Sequence, residues 1–186
     1  MQQKFALEIG SGVGLVSIVA SLCGVKRIVA TDLDILMKTI QNNFARNLSY
    51  EVDISSAVLD LKAFNDDQFN NVVDIVIGAD VIYDFDLTDG IIETVKKVIC
   101  CRPFKPKIFL FSVEKRFIFS LDVIDTVAPA FDYFVTLLEH LKSDLISSEG
   151  VILSIDFVPL DLVKQSFCYE RTKDLKILKV VSAEKN

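Results

Sequence analysis

The sequence contains no tryptophan and a single histidine, and no apolar run in it approaches the roughly 18 residues needed to cross a bilayer. No signal-type apolar stretch follows Met1-Gln2-Gln3-Lys4, so a secretory leader is not expected. The four cysteines, Cys23, Cys100, Cys101 and Cys168, lack metal-site spacing, and the adjacent pair Cys100-Cys101 makes a poor disulfide. Reduced, mostly buried thiols in the cytosol or nucleus are the expectation. Positive charge is in deficit: 20 Lys and Arg against 26 Asp and Glu leave a formal charge of −6. Direct nucleic-acid binding is not expected from such a balance, whereas an acidic face favours a basic partner. What is abundant is apolar surface, 51% of 186 residues, enough for a sizeable core. Internal repeats, low-complexity tracts and an interdomain linker are all lacking, so residues 1–186 read as one domain.

Continuous apolar runs at 5–9, 27–31, 73–79 and 107–113 read as buried strands, with a weaker one at 58–61. Helical spacing covers 13–23, with Gly24 as a C-cap, then 33–47 and 86–98. A polar loop is expected over 65–71, and a long helix over 121–141 with Pro129 as a kink or break. Segments 151–158 and 167–180 complete the chain as strand-rich sequence. Strands that alternate with helices and are apolar throughout indicate a mostly parallel sheet covered on both faces. The connection 159–165 is too short for a right-handed crossover, so the last two strands are expected as an antiparallel hairpin at the sheet edge. The expected fold class is α/β and Rossmann-like.

Within that frame the stretch LEIGSGVGL, residues 7–15, places Gly10, Gly12 and Gly14 between the first strand and the first helix. In a doubly wound sheet, ligands bind there, at the carboxyl ends of the strands. Glycines let the backbone turn tightly and let a ligand approach without a Cβ in the way. Asp32 ends the second strand, where an acid accepts ribose hydroxyls, and Asp60 lies at the third, where it suits the exocyclic amine of adenine. Each acid alone reads equally as a cap or a solvated turn; the coincidence of Glu8, Asp32 and Asp60 at successive strands points to a nucleoside. A dinucleotide fingerprint places its third glycine in the first helical turn, and here that position is Leu15. Glu8, two residues before the first glycine, is unhelpful beside a pyrophosphate but useful beside an ammonium group. S-adenosyl-L-methionine, with a sulfonium and an α-ammonium and no phosphate, fits this pattern. Glu8 is then expected to set the electrostatics of the loop and to accept hydrogen bonds around the amino group.

LEIGSGVGL, VATD, LDL and GADVIYD, in that order, resemble the seven-β-strand protein lysine methyltransferases whose fourth strand ends in Asp-x-x-Tyr. That motif is Asp80-Val81-Ile82-Tyr83 here, and the segments SVEKRFIFSLD, AFDYF and YERTKDLKILK extend the resemblance into one branch of the family over nearly the whole chain. The resemblance implies a seven-stranded S-adenosylmethionine-dependent methyltransferase acting on a lysine side chain of a protein, in a basic context, as a monomer in the nucleus or cytoplasm or both. It implies Asp80 and Tyr83 as catalytic residues, and Ala79 beside Glu8, Gly10, Gly12, Gly14, Asp32 and Asp60 at the cofactor. No metal is implied. Family members carry a segment with a tryptophan before the first strand; this chain starts near that strand, so weakened cofactor binding is expected. Leu61 stands where the family often has tryptophan after the third-strand acid.

Methyl transfer to an amine is an in-line displacement at a carbon already activated by the sulfonium, so the protein must mainly align and desolvate the amine. Asp80 and Tyr83 suit that task. Glu114, Lys115 and Arg116 follow the fifth strand and shape the substrate mouth or form a solvated charge cluster. Asp84, Asp86 and Asp89 dock a basic peptide or, more blandly, serve a helix N-terminus. His140 reads as structural, and Phe104, Phe109, Phe111, Phe117 and Phe119 read mostly as core. Two rivals remain: a nicotinamide-dependent oxidoreductase, disfavoured by Leu15, and a catalytically inactive methyltransferase-like binding protein.

Overall fold

Apolar runs that can be buried on both faces form the centre of the sheet, and the polar or half-polar ones lie at its margins. The computed structural model describes residues 4–49, 52–61, 73–120 and 124–185. Among these, β1 (Phe5–Ile9), β2 (Arg27–Asp32), β3 (Ile54–Val58), β4 (Ile75–Ala79) and β5 (Ile108–Glu114) are parallel neighbours. β8 (Val151–Val158) and β9 (Leu175–Glu184) pair antiparallel, and β9 also runs antiparallel to β5. The sheet order is β3-β2-β1-β4-β5-β9-β8, so β9 is internal and β8 is the edge. The expected mostly parallel sheet of seven strands, with an antiparallel C-terminal pair, is therefore present.

Among the described residues four α-helices cover the sheet: α1 (Leu15–Leu22), α2 (Asp34–Asn47), α3 (Phe85–Cys100) and α4 (Pro129–Ser148). On one face α3 and α4 bury Ile91, Val95, Phe134 and Leu138 against Leu7, Val76, Phe109, Phe111 and Leu178. On the other, Ile18 of α1 and Ile40 and Phe44 of α2 pack with Ala30. The chain leaves β3 and returns beside β1 as β4, so the strand order reverses between β1 and β4. Over the carboxyl ends of those two strands a crevice opens, because their connections lead to opposite faces of the sheet.

Several elements differ from expectation. The third strand is Ile54–Val58, upstream of 58–61. Its sequence ISSAV is only half buried at the sheet edge, whereas the conspicuous Leu59 is buried from the loop beyond, where its N–H donates to the Asp32 carbonyl at 2.9 Å. Pro129 is not a kink but opens α4, where a missing N–H costs nothing. Part of the expected helix is instead a short hairpin, β6 (Ile118–Ser120) with β7 (Asp125–Val127). The last strand starts at Leu175, and 166–174 is irregular. Cys23 and Cys168 are exposed and Cys100 and Cys101 partly so, all as free thiols, because they fall at helix ends and in a loop rather than on apolar faces. The polar loop at 65–71 lies outside the described residues.

Candidate active site

The first glycine loop is shaped by backbone that other residues would strain. Gly10, Gly12 and Gly14 have φ of 63°, 56° and 85°, in the left-handed region. A Cβ on Gly10 would lie 2.6 Å from Val81 Cγ1, and one on Gly14 2.8 Å from Phe44 Cε1. No described residue stands within 4 Å of the position a Cβ would take on Gly12, so the loop offers bare backbone there.

Buried hydrogen bonds fix this loop from below. Glu8 is 1% exposed, and its Oε2 accepts from the Ser17 hydroxyl on α1. Thr31 Oγ1 donates to the Glu8 carbonyl at 2.7 Å, and the Ser11 N–H donates to the Thr31 carbonyl at 2.9 Å. Burial pushes the Glu8 carboxyl up to about 7; the Ser17 contacts pull it down, and the nearby Asp32 charge adds a smaller upward push. Asp32 bonds twice to backbone: Oδ2 accepts from the Gly12 N–H at 2.7 Å, and Oδ1 from the Leu33 N–H at 2.8 Å. Each of these oxygens keeps a further lone pair for a ligand hydroxyl.

The fourth-strand side is different. Asp80 is a non-glycine residue at φ 55°, and its N–H donates to the Ser112 carbonyl at 2.9 Å. This turn aims its carboxylate across to Arg116, whose Nη2 donates to Oδ1 at 3.0 Å and Oδ2 at 2.9 Å. The same guanidinium lies 5.5 Å from the centroid of the Tyr83 ring. Tyr83 itself is 51% exposed. Asp84 caps α3, its Oδ1 accepting from the Leu87 N–H at 3.0 Å, and Asp89 accepts from Tyr133 at 2.7 Å.

These parts meet in one cleft of about 480 Å³. Gly10, Gly12, Asp32, Asp60, Asp80 and Tyr83 all line it. Glu8, Gly14 and Ala79 are not among its lining residues: Glu8 lies beneath the loop, Gly14 against Phe44, and Ala79 at the end of β4. The apolar walls are Leu33, Leu36, Leu59, Leu61, Val81 and Leu87; the sequence marks Leu61 only as standing in place of a tryptophan and Val81 only as part of the Asp-x-x-Tyr motif, and a lining role is expected for none of the six. Their signal is positional, since Leu33, Leu59, Leu61 and Val81 each adjoin a carboxylate at or just beyond a strand end. Arg116 as the partner of Asp80 was also not foreseen.

The lining suits a nucleoside with a cationic tail. Leucines offer flat apolar walls, carboxylates offer acceptors at the cleft edge, and open backbone at Gly12 offers close approach. Ser11 Oγ, in the same loop, is a buried polar atom without a hydrogen-bond partner among the described residues.

A family model described as lysine methyltransferase matches residues 1–128. Methyltransferase-like protein 22 of Mus musculus is 27% identical over 196 residues, covering 94% of this chain and 48% of that protein. Protein-lysine methyltransferase METTL21E of Mus musculus is 40% identical over 88 residues, covering 45% of this chain and 36% of that protein. Among solved structures, magnesium protoporphyrin IX methyltransferase from Synechocystis PCC 6803, with bound SAM, superposes with a TM-score of 0.57 at 16% identity, covering 97% of this chain and 70% of that one. At that identity the likeness shows the fold. The chain spans about half the length, or less, of these curated relatives. With two thirds of its residues inside the match, the chain belongs to the lysine methyltransferase family.

Proposed function

We propose that this chain is an S-adenosylmethionine-dependent methyltransferase that transfers a methyl group to a lysine side chain of a protein substrate. The observation that carries this reading is that Asp80 and Tyr83 line the same cleft as the glycine loop, Asp32 at the end of β2 and Asp60 in the loop after β3. When bound, the cofactor supplies a methyl group already activated by its sulfonium. Asp32 would hold the ribose hydroxyls and Asp60 the adenine amine, with Gly12 giving close approach to the backbone.

The remaining work is to bring an amine into line and free of water. A lysine has an ordinary pKa of about 10.4, so it must shed a proton before it attacks. Asp80 orients the amine and balances the charge that the product ammonium keeps. Tyr83 supplies an aromatic wall and a hydroxyl. Arg116 offsets the carboxylate charge, which by itself would hold the amine in its ammonium form. The formal charge of −6 supports a lysine presented in a basic context. We read the protein as a monomer that does not itself bind nucleic acid, in the nucleus or cytoplasm, where its free thiols would stay reduced.

Tritiated S-adenosylmethionine incubated with the chain and with nuclear and cytosolic extracts tests this reading. Label on lysine, recovered after acid hydrolysis, is expected. Calorimetric binding of NAD in place of S-adenosylmethionine would favour a nicotinamide enzyme, and binding of neither a cofactor-free binding protein.

A further inference from the structure

A second concavity lies beyond the catalytic mouth, and the proposed transfer reaction does not use it. It is a groove of about 490 Å³ between the end of β5, the start of α4 and the loop-closed end of the β8–β9 hairpin. Phe131, Phe157, Leu160 and Leu175 supply apolar surface, and Lys115 and Lys176 supply charge. Among the described residues no carboxylate lines it. Lys115 Nζ lies 4.2 Å from the centroid of the Phe131 ring, and Lys176 Nζ donates to the Lys173 carbonyl at 3.2 Å. Among the described residues neither ammonium is paired with an acid.

The groove is built rather than incidental. The Lys115 N–H donates to the Asp174 carbonyl at 3.0 Å, which ties the β5 exit to the loop before β9. Arg171 braces the loop that carries Leu160: its Nη1 donates to the Leu160 carbonyl, and its Nη2 to that of Val163 at 2.7 Å. This guanidinium is spent on backbone, so it fixes the loop and leaves Lys115 and Lys176 as the cations that face the groove. Apolar surroundings strengthen their pull on an anion relative to open water.

Position links the groove to catalysis. Lys115 and Arg116 are consecutive, and Arg116 reaches Asp80 in the cleft. One extended peptide, rising about 3.3 Å per residue, can therefore present a lysine to Asp80 and another side chain to the groove.

We propose that this groove is a substrate subsite that takes an acidic residue with an apolar neighbour, lying within a few residues of the methylated lysine. The carboxylate pairs with Lys115 and Lys176, and the apolar side chain covers Phe157, which is 52% exposed. The assignment rests on the lysine-transfer reading for its register. It makes the recognised segment two-sided, with the basic context on the α3 side of the mouth and an acid on the β9 side.

The test uses short fluorescent peptides, each with one central lysine. A glutamate-leucine pair is placed on its N-terminal side, on its C-terminal side, or replaced by glutamine-leucine. Binding is measured by anisotropy with S-adenosylhomocysteine present, for the unaltered chain, for Lys115→Gln/Lys176→Gln and for Lys115→Glu/Lys176→Glu, with folding checked by circular dichroism. One glutamate placement should tighten binding roughly three- to tenfold over glutamine, the scale of two partly exposed ion pairs. The glutamine variant should erase that preference and the glutamate variant reverse it, with affinity for the glutamine peptide unchanged. Equal affinities across the peptides, no peptide binding, or an acid preference that survives charge reversal would overturn the assignment. Transfer is then scored on the same peptides. An intact acid preference without any methylation supports the groove and counts against the lysine-transfer reading instead.

Discussion

The loops that follow β1 and β4 leave the same edge of the sheet and line the same cleft, yet they are held in opposite ways. The loop after β1 rests on buried polar groups. Glu8 is bonded to Ser17, Ser11 to Thr31 and Gly12 to Asp32, and Asn43 Nδ2 reaches over from α2 to the Val13 carbonyl at 2.8 Å. The loop after β4 carries Asp80 and Tyr83 in solvent, with the Asp80 and Arg116 side chains 62% and 54% exposed. An ion pair that open contributes about 0–1 kcal/mol. The nucleoside half of the cleft is thus preorganised by the fold, whereas the amine half is held lightly enough to rearrange around an arriving side chain. A cofactor common to every turnover can be matched by rigid backbone; a protein substrate must be admitted and released.

If that contrast is right, damage to the two halves separates binding from transfer. The largest effect is expected from Asp80→Ala, since losing one polar contact to the reacting centre typically costs about a hundredfold or more in rate. Cofactor affinity, read by calorimetry, should stay near that of the unaltered chain.

Next comes Glu8→Gln, read through stability. The carboxyl is pushed up from 4.5 to about 7 in the folded chain, so the folded state holds a proton that the unfolded state has released. Stability contributed at Glu8 is full below about pH 4.5 and is lost as pH rises through about 7, to a total of about 3 kcal/mol. Urea unfolding across that window should show the decline, and Glu8→Gln should flatten it and be the more stable form above neutral pH. A slope unchanged by the substitution would place the titration elsewhere.

Asp32→Ala should weaken S-adenosylmethionine by roughly ten- to a hundredfold for each ribose hydroxyl bond lost, since bonds to a charged partner contribute about 1.5–3 kcal/mol each. Asp32 also braces Gly12, so its loss should exceed that of Asp60→Ala in the same titration. Equal losses would mean that the two acids are interchangeable and the loop stands without its brace. The smallest effect is expected from Tyr83→Phe, which keeps the ring under Arg116 and removes one hydroxyl. Single-turnover transfer should fall by less than for Asp80→Ala, and cofactor affinity should hold.

The preorganised half was the more legible in sequence, and for a physical reason. Glycines at alternate positions after a buried strand are local features, as are the carboxylates at strand ends. So were β1, β2, β4 and β5, whose residues can be apolar on both faces. β3 was misplaced because an edge strand such as ISSAV needs little apolar surface, and Leu59 beyond it is buried by the fold around it. The β6–β7 hairpin is three residues a side, too short for a period to show, and Pro129 gives the same signal at a helix start as at a break. The bond between Asp80 and Arg116 spans 36 positions and depends on the register of β4 beside β5. The second task of Asp32, bracing a backbone N–H 20 positions earlier, depends likewise on how β1 lies beside β2.

The separation of the two halves is tested most directly by the single-turnover rate of methyl transfer to lysine, measured as a function of S-adenosylmethionine concentration for Asp32→Ala and Asp80→Ala side by side. The account predicts that Asp32→Ala approaches the unaltered rate once cofactor saturates it, and that Asp80→Ala remains slow at every concentration. Recovery of Asp80→Ala by added cofactor would contradict it, because Asp80 would then belong to the nucleoside half of the cleft.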